Sequence, residues 1–155
     1  MSDEPAPEIS RADVRRAAMN LLARREYAHA ELARRLSRRD MPAELVDAVL
    51  HDLSAENLLS DARFAESFIG AWAARGKGPM RIRHELERRG VSSELIDDAL
   101  EASGIDWTAV AKDVRLKRFG ASMPADFKDK ARQMRFLQYR GFAADQIQAA
   151  TGADD

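Results

Sequence analysis

The sequence contains no cysteine, which removes disulfides, thiolate metal sites and cysteine nucleophiles together. Histidine is nearly as scarce: His29, His51 and His84 lie far apart, none at ligand spacing from another, so no metal is expected. Nor is there a nucleophile with an orienting base, so no catalytic residue, cofactor or enzymatic activity is expected. No apolar run approaches the roughly 18 residues that span a bilayer. The first twelve residues are acidic and proline-bearing, unlike a signal peptide. The expectation is a cytoplasmic protein with no membrane partner. Aromatics make up only 6% of the 155 residues and the glycine and proline content is modest, the profile of a helical globular chain.

What the sequence has in excess is charge of both signs. Charged residues reach 33%, above the usual quarter, although the formal net charge is only −1. The charges are segregated. Residues 11–40 hold nine basic and four acidic side chains, residues 75–90 six and two, and residues 112–140 nine and three. Of the 25 lysines and arginines only Arg63 lies outside these segments. A nearly neutral chain built this way can present a basic face and an acidic face.

Between the charges runs a helical rhythm. After a loose acidic leader, Ser10 with Asp13 forms a capping box for a first helix reaching about Arg25, with Val14, Ala18, Leu21 and Leu22 on its stripe. A second helix, near 29–39, carries Leu32 and Leu36. A third begins at Pro42 and carries Leu45, Val46, Val49, Leu50 and Leu53. Ser60 or Asp61 caps the next, whose Phe64, Ala65, Phe68, Ala71 and Trp72 predict one apolar face. Gly76-Lys-Gly-Pro79 introduces another, with Ile82 and Leu86 four residues apart, and Gly90 stops it. Ser92 caps a helix containing Leu95, Ile96 and Leu100. Asp106 caps the seventh, with Trp107, Val110 and Val114. Pro124 marks the start of the eighth after a longer loop around Gly120.

The same order recurs. A shift of fifty residues lays Leu32 on Ile82, Leu36 on Leu86, Arg38-Arg39 on Arg88-Arg89 and Asp47 on Asp97. A shift of fifty-one lays Leu86 on Leu137, Arg89-Gly90 on Arg140-Gly141 and Val91 on Phe142. Met41, Val91 and Phe142 thereby share one repeat position, as staples for the last helix of each unit. The predicted fold is all-α: a tandem repeat of three three-helix units forming an elongated, curved helical array. The predicted segments are a leader at 1–10 and repeats at 11–56, 57–104 and 105–152.

In such an array the middle helices carry the candidate binding residues: Arg34, Arg35, Arg38 and Arg39 in the first unit; Lys77, Arg81, Arg83, Arg88 and Arg89 in the second; Lys128, Lys130, Arg132 and Arg135 in the third. An interrupted basic ribbon suits a phosphate backbone or the groove of a protein–DNA filament. Phe64, Phe68, Trp72 and Trp107 fall on apolar stripes and read as core, leaving Tyr27 and Tyr139 freer to stack on bases. The Gly76–Pro79 stretch reads as a turn feeding a helix; as a phosphate loop it lacks the lysine–hydroxyl ending and a preceding strand.

Several of these residues together resemble the RecX family. They are Leu22-Ala-Arg24-Arg25-Glu26-Tyr27 with Glu31-Leu32, then Asp61-Ala-Arg63-Phe64-Ala65 with Phe68, then Gly76-Lys-Gly-Pro-x-Arg81-Ile82 with Glu85-Leu86, and finally Phe136-Leu137-x-x-Arg140-Gly141-Phe142. The match runs in the family's order over residues 12–150. What the resemblance implies is a non-enzymatic, monomeric modulator of the RecA recombinase, connected with DNA repair, recombination and the SOS response. It would lodge in the groove of the RecA filament on single-stranded DNA, with any direct DNA contact weak, and restrain ATP hydrolysis and strand exchange. Two positions depart from the family. Ala28-His29 follow Tyr27 where a small hydroxyl residue is usual, which predicts a weaker helix cap, by about 1 kcal/mol. Asp40 stands where the later units have Gly90 and Gly141, which puts that turn and its positive field in question. Two other readings remain open: a sequence-independent nucleic-acid binder, and a helical adapter for an unrelated acidic protein.

Overall fold

The structure is a computed structural model that describes residues 8–152. The acidic leader therefore lies, but for its last three residues, outside the described residues. Among the described residues there are nine α-helices and no strand: α1 (Arg11–Leu22), α2 (His29–Ser37), α3 (Ala43–Ala55), α4 (Asp61–Ala74), α5 (Pro79–Arg88), α6 (Ser93–Ser103), α7 (Trp107–Phe119), α8 (Phe127–Tyr139) and α9 (Ala144–Ala150). The chain divides into two compact units. The first contains residues 8–64 and the turn 89–91; the second contains 65–88 and 92–152.

In the first unit, α1, α2 and α3 pack on one another in all three pairings. Val14, Leu32, Leu36, Leu50 and Leu53 are fully enclosed there, each worth about 1.5–3 kcal/mol of burial. The capping box holds: Asp13 N–H donates to Ser10 Oγ at 3.2 Å, and Ser10 N–H to Asp13 Oδ2 at 2.9 Å. The first helix stops at Leu22, short of the expected Arg25. Arg24 and Arg25 N–H tighten onto the Leu21 carbonyl, and the chain turns so that Tyr27 enters the core at 4% exposure. Met41 packs against the same core as Val46.

In the second unit, α5 packs on α6, and α7, α8 and α9 pack on one another. Ala111, Val114, Leu137, Phe142 and Ile147 form the core of the latter group. Along α4 the buried residues are Phe64, Ala65 and Ile69, with Ala71 exposed and Phe68 and Trp72 half-buried. Those two rings stack at 4.5 Å between centroids. Phe64 and Ala65 keep the expected face, but in the next turn Ile69 rather than Phe68 fills the interior. Helix α8 starts at Phe127, not Pro124. Its first turn is held by Asp126, whose Oδ1 accepts from Asp129 N at 2.8 Å, and Pro124 stays in the loop.

Candidate functional site

The Gly76–Arg81 segment is shaped from both ends. Gly76 sits at φ +79, a left-handed conformation that favours glycine, and closes α4 with its N–H on the Ala73 carbonyl at 2.9 Å. Gly78 is required for room: an added Cβ would lie 2.3 Å from the Gly141 backbone. That contact exists because Gly78 N–H donates to the Arg140 carbonyl at 2.8 Å and Met80 N–H to the Gly141 carbonyl at 3.0 Å. Lys77 N–H is likewise spent, on the Trp72 carbonyl at 3.0 Å. A phosphate loop needs those amides unoccupied; here they are spent on the end of α4 and on the Arg140–Gly141 turn.

The same turn gathers cations. Arg140 donates from Nε to the Gly76 carbonyl at 3.2 Å and from Nη2 to the Arg75 carbonyl at 2.9 Å. Its charge therefore stands beside Lys77, whose ammonium is depressed below its ordinary 10.5, first by burial and then by the Arg81, Arg140 and Arg75 charges. Like charges held together favour an anion or a neutral amine. The Arg81 guanidinium also lies 5.5 Å from the centre of the Tyr139 ring, so α5 and α8 contribute to one surface. Arg75 and Arg140 are absent from the candidates read from the sequence. The paired arginine–glycine of the repeat marked Arg140, but not its role.

The remaining candidates separate into paired and unpaired side chains. Arg83 forms an ion pair with Asp97, Arg88 with Glu85 at 3.3 Å, Arg89 with Glu31 at 3.8 Å and Arg132 with Asp129 at 2.8 Å. Their positive field is partly cancelled. Arg35 on α2, and Arg38 and Arg39 just beyond it, are exposed and form no ion pair among the described residues. The same holds for the exposed Lys128 and Arg135 and the partly buried Lys130 on α8. Arg34 reaches back to the Ala30 carbonyl at 3.4 Å.

Two sequence expectations need correction. Tyr27 is not free to stack on a base: it is enclosed in the first unit's core with the Arg25 guanidinium 3.6 Å above its ring. Tyr139 is 74% exposed. Phe127, at the start of α8, is 86% exposed, with no periodicity in the sequence to mark it. The second correction concerns the basic segment 112–140. Arg115 within it is only 4% exposed and works inward. Its Nε donates to Gln133 at 3.0 Å, and its Nη atoms donate to the Gly120 and Ser122 carbonyls, pinning the α7–α8 loop. A buried arginine that satisfies main-chain carbonyls in this way carries no signal in its sequence spacing.

Comparison with known proteins places the whole arrangement. Three family profiles, described as the first, second and third three-helix domains of RecX, match residues 15–53, 60–100 and 106–151. A "Regulatory protein RecX" of Halorhodospira halophila is 50% identical over 142 residues, covering 92% of this chain and 88% of that protein. One from a strain of Pseudomonas fluorescens is 47% identical over 145 residues, covering 92% and 94%. Among solved structures, a crystal structure of a regulatory protein RecX is similar with a TM-score of 0.80 at 22% identity, over 93% of this chain and 73% of that one. RecX from Lactobacillus salivarius follows at 0.76 and 20%, over 90% and 93%. At those identities the structures speak to the fold.

Proposed function

The chain belongs to the RecX family, and on that footing we propose that it regulates RecA by lodging in the groove of the filament that RecA forms on single-stranded DNA. There it restrains ATP hydrolysis and strand exchange without catalysing a reaction itself. The observation that carries this reading is the cation cluster of Arg75, Lys77, Arg81 and Arg140. Burial first, and then the charges of the three arginines, depress the Lys77 ammonium, and the loop beneath them is fixed by main-chain hydrogen bonds. A rigid, prepaid concentration of positive charge gains most from a polyanionic partner.

The test is RecA's single-stranded-DNA-dependent ATPase with this protein at sub-stoichiometric ratios. Inhibition well below one protein per RecA is the expected result. The double variant Lys77→Glu/Arg81→Glu should abolish it while leaving the far-ultraviolet circular dichroism unchanged. These two positions are sharper probes than Arg83, Arg88 and Arg89, because carboxylates placed there would face Asp97, Glu85 and Glu31. An inhibitor that survives the double change would sink this surface as the site.

A second reading has its own support. The exposed rings of Phe127 and Tyr139 and the unpaired Lys128, Lys130 and Arg135 lie on one helix, the materials of a single-strand binder. It predicts affinity for bare oligonucleotides that falls steeply with salt, by about 0.7 in log–log slope per phosphate contact, together with no effect on RecA that excess DNA does not remove.

A further inference from the structure

In the second unit the surface between α5, α8 and α9 opens into a cavity of about 710 Å³, walled by Met80, Met134, Phe142, Ala144 and Ile147 together with Arg81 and His84. A neighbouring cavity of about 470 Å³, walled by Phe127, Lys130, Ala131 and Arg135, shares Met134, Gln138 and Gln148 with it. The shared residues make the two one continuous groove. Its apolar lining is left open to water: Phe127 is 86% exposed and Met80 60%. Large apolar side chains grouped around a concavity mark a binding surface more often than an accident of folding.

The chemistry of the lining selects the occupant. No carboxylate lines either part of the groove, whereas Arg81, His84, Lys130 and Arg135 all do. A nucleic-acid backbone would leave the methionine and phenylalanine floor unfilled and its own phosphates over apolar atoms. A neutral or basic peptide would fill the floor and leave the cations unmatched. Methionine walls are deformable and accept side chains of varied shape. From Phe127 to Gln138 the groove follows α8 for about 16 Å at 1.5 Å per residue, the length of three helical turns.

We propose that this groove receives an acidic, amphipathic helical segment of a partner protein, seating apolar anchors one or two turns apart against Met80, Met134 and Phe127 while its carboxylates meet Arg81, Lys130 and Arg135. The proposal stands on the groove alone and does not depend on the RecA reading.

It is tested by selecting a phage-displayed library of random 16-residue peptides against the full-length chain, then measuring synthetic copies of the recovered peptides by fluorescence anisotropy. The expected peptides are net acidic with apolar residues at i, i+3 or i+4, and i+7. The double variant Met80→Glu/Phe127→Glu should weaken their binding at least tenfold. Both positions are exposed first-turn sites where glutamate suits the helix, and circular dichroism checks the fold. Lys112→Glu, an exposed charge change on α7 outside the groove, should leave binding within twofold. The proposal is overturned by recovery of neutral or basic peptides, by affinity indifferent to the Met80/Phe127 change, or by equal loss with Lys112→Glu. Failure to recover any peptide overturns it too.

Discussion

Helices α2 and α5 hold the same place in successive repeats, fifty residues apart, yet their N-terminal amides are satisfied by different chemistry. At α2 the work is done by side chains: Ala28 N–H donates to Glu31 Oε1 at 3.4 Å and His29 N–H to Asp61 Oδ1 at 2.7 Å. At α5 it is done by main chain, from Gly78 and Met80 to the Arg140 and Gly141 carbonyls. In both cases a glycine turn from the following repeat comes close, since a Cβ on Gly90 would meet Ala30 at 2.6 Å and one on Gly141 would meet Arg81 at 2.3 Å. The difference lies one residue earlier. Gly78 lets two backbones touch; the equivalent position in the first unit is Ala28, which carries a methyl group and is fully buried. A carboxylate from α4 then supplies the acceptor. One joint is therefore written in side chains and can be edited, while the other is set by the absence of a side chain.

The comparison can be broken most forcefully at Gly78. Replacing it by alanine drives a methyl into the Gly141 carbonyl, and we expect a loss of about 3 kcal/mol, the upper part of the overpacking range. That corresponds to a fall of about 6–12 °C in thermal midpoint. The reciprocal change, Ala28→Gly, should cost no more than about 1 kcal/mol. Similar melting of the two variants would mean that the two joints are not built differently.

Next in size is Asp61→Ala. It removes the acceptor for His29 N–H, and about 1–2 kcal/mol should be lost, with hydrogen exchange rising first at the start of α2. Asp40→Gly runs the other way. Asp40 holds φ +59, the left-handed conformation of its glycine counterparts, so the first unit's turn keeps its geometry despite the different residue. Glycine there relieves the side-chain cost, and denaturant unfolding should show a gain of up to about 1 kcal/mol.

The smallest effect is on the acid limb. The Asp13 carboxyl is held below its ordinary 3.8 first by the backbone N–H of Ser10, and that of Asp129 first by the hydrogen bond from Arg132. A depressed folded-state value contributes stability above pH 3.8 that is lost as pH falls through the folded value. Amide protection at the starts of α1 and α8, taken relative to the intrinsic exchange rate at each pH, should therefore fall below pH 3.8. The main-chain-capped start of α5 should show no such step, and a matching step there would remove the distinction.

Much of the fold was legible because it is periodic. Leu32 and Leu36, Ile82 and Leu86, and the shared arginine pairs announced the repeat, and capping residues marked most helix starts. The failures share a cause. Tyr27, Arg115 and Arg140 look like surface residues by spacing, yet Tyr27 and Arg115 are buried and Arg140 answers carbonyls 64 and 65 residues away. The missing hydroxyl after Tyr27 was expected to weaken the cap of α2, whereas Asp61, 32 residues on from His29, supplies it. The residues that carry the family resemblance are in large part such joints. Asp61 caps α2, Arg63 ties Glu26 to the Asn57 carbonyl, and Arg140-Gly141 clamps the Gly76–Met80 loop.

The sequence by itself determined the helices, their order and the segregation of charge, because amphipathic spacing and capping act within a few residues of chain. Only the tertiary structure decided which cations stand together and which are neutralised. It alone brought Arg75, Lys77, Arg81 and Arg140 to one place, since that gathering depends on a backbone contact that glycine permits and no local preference encodes.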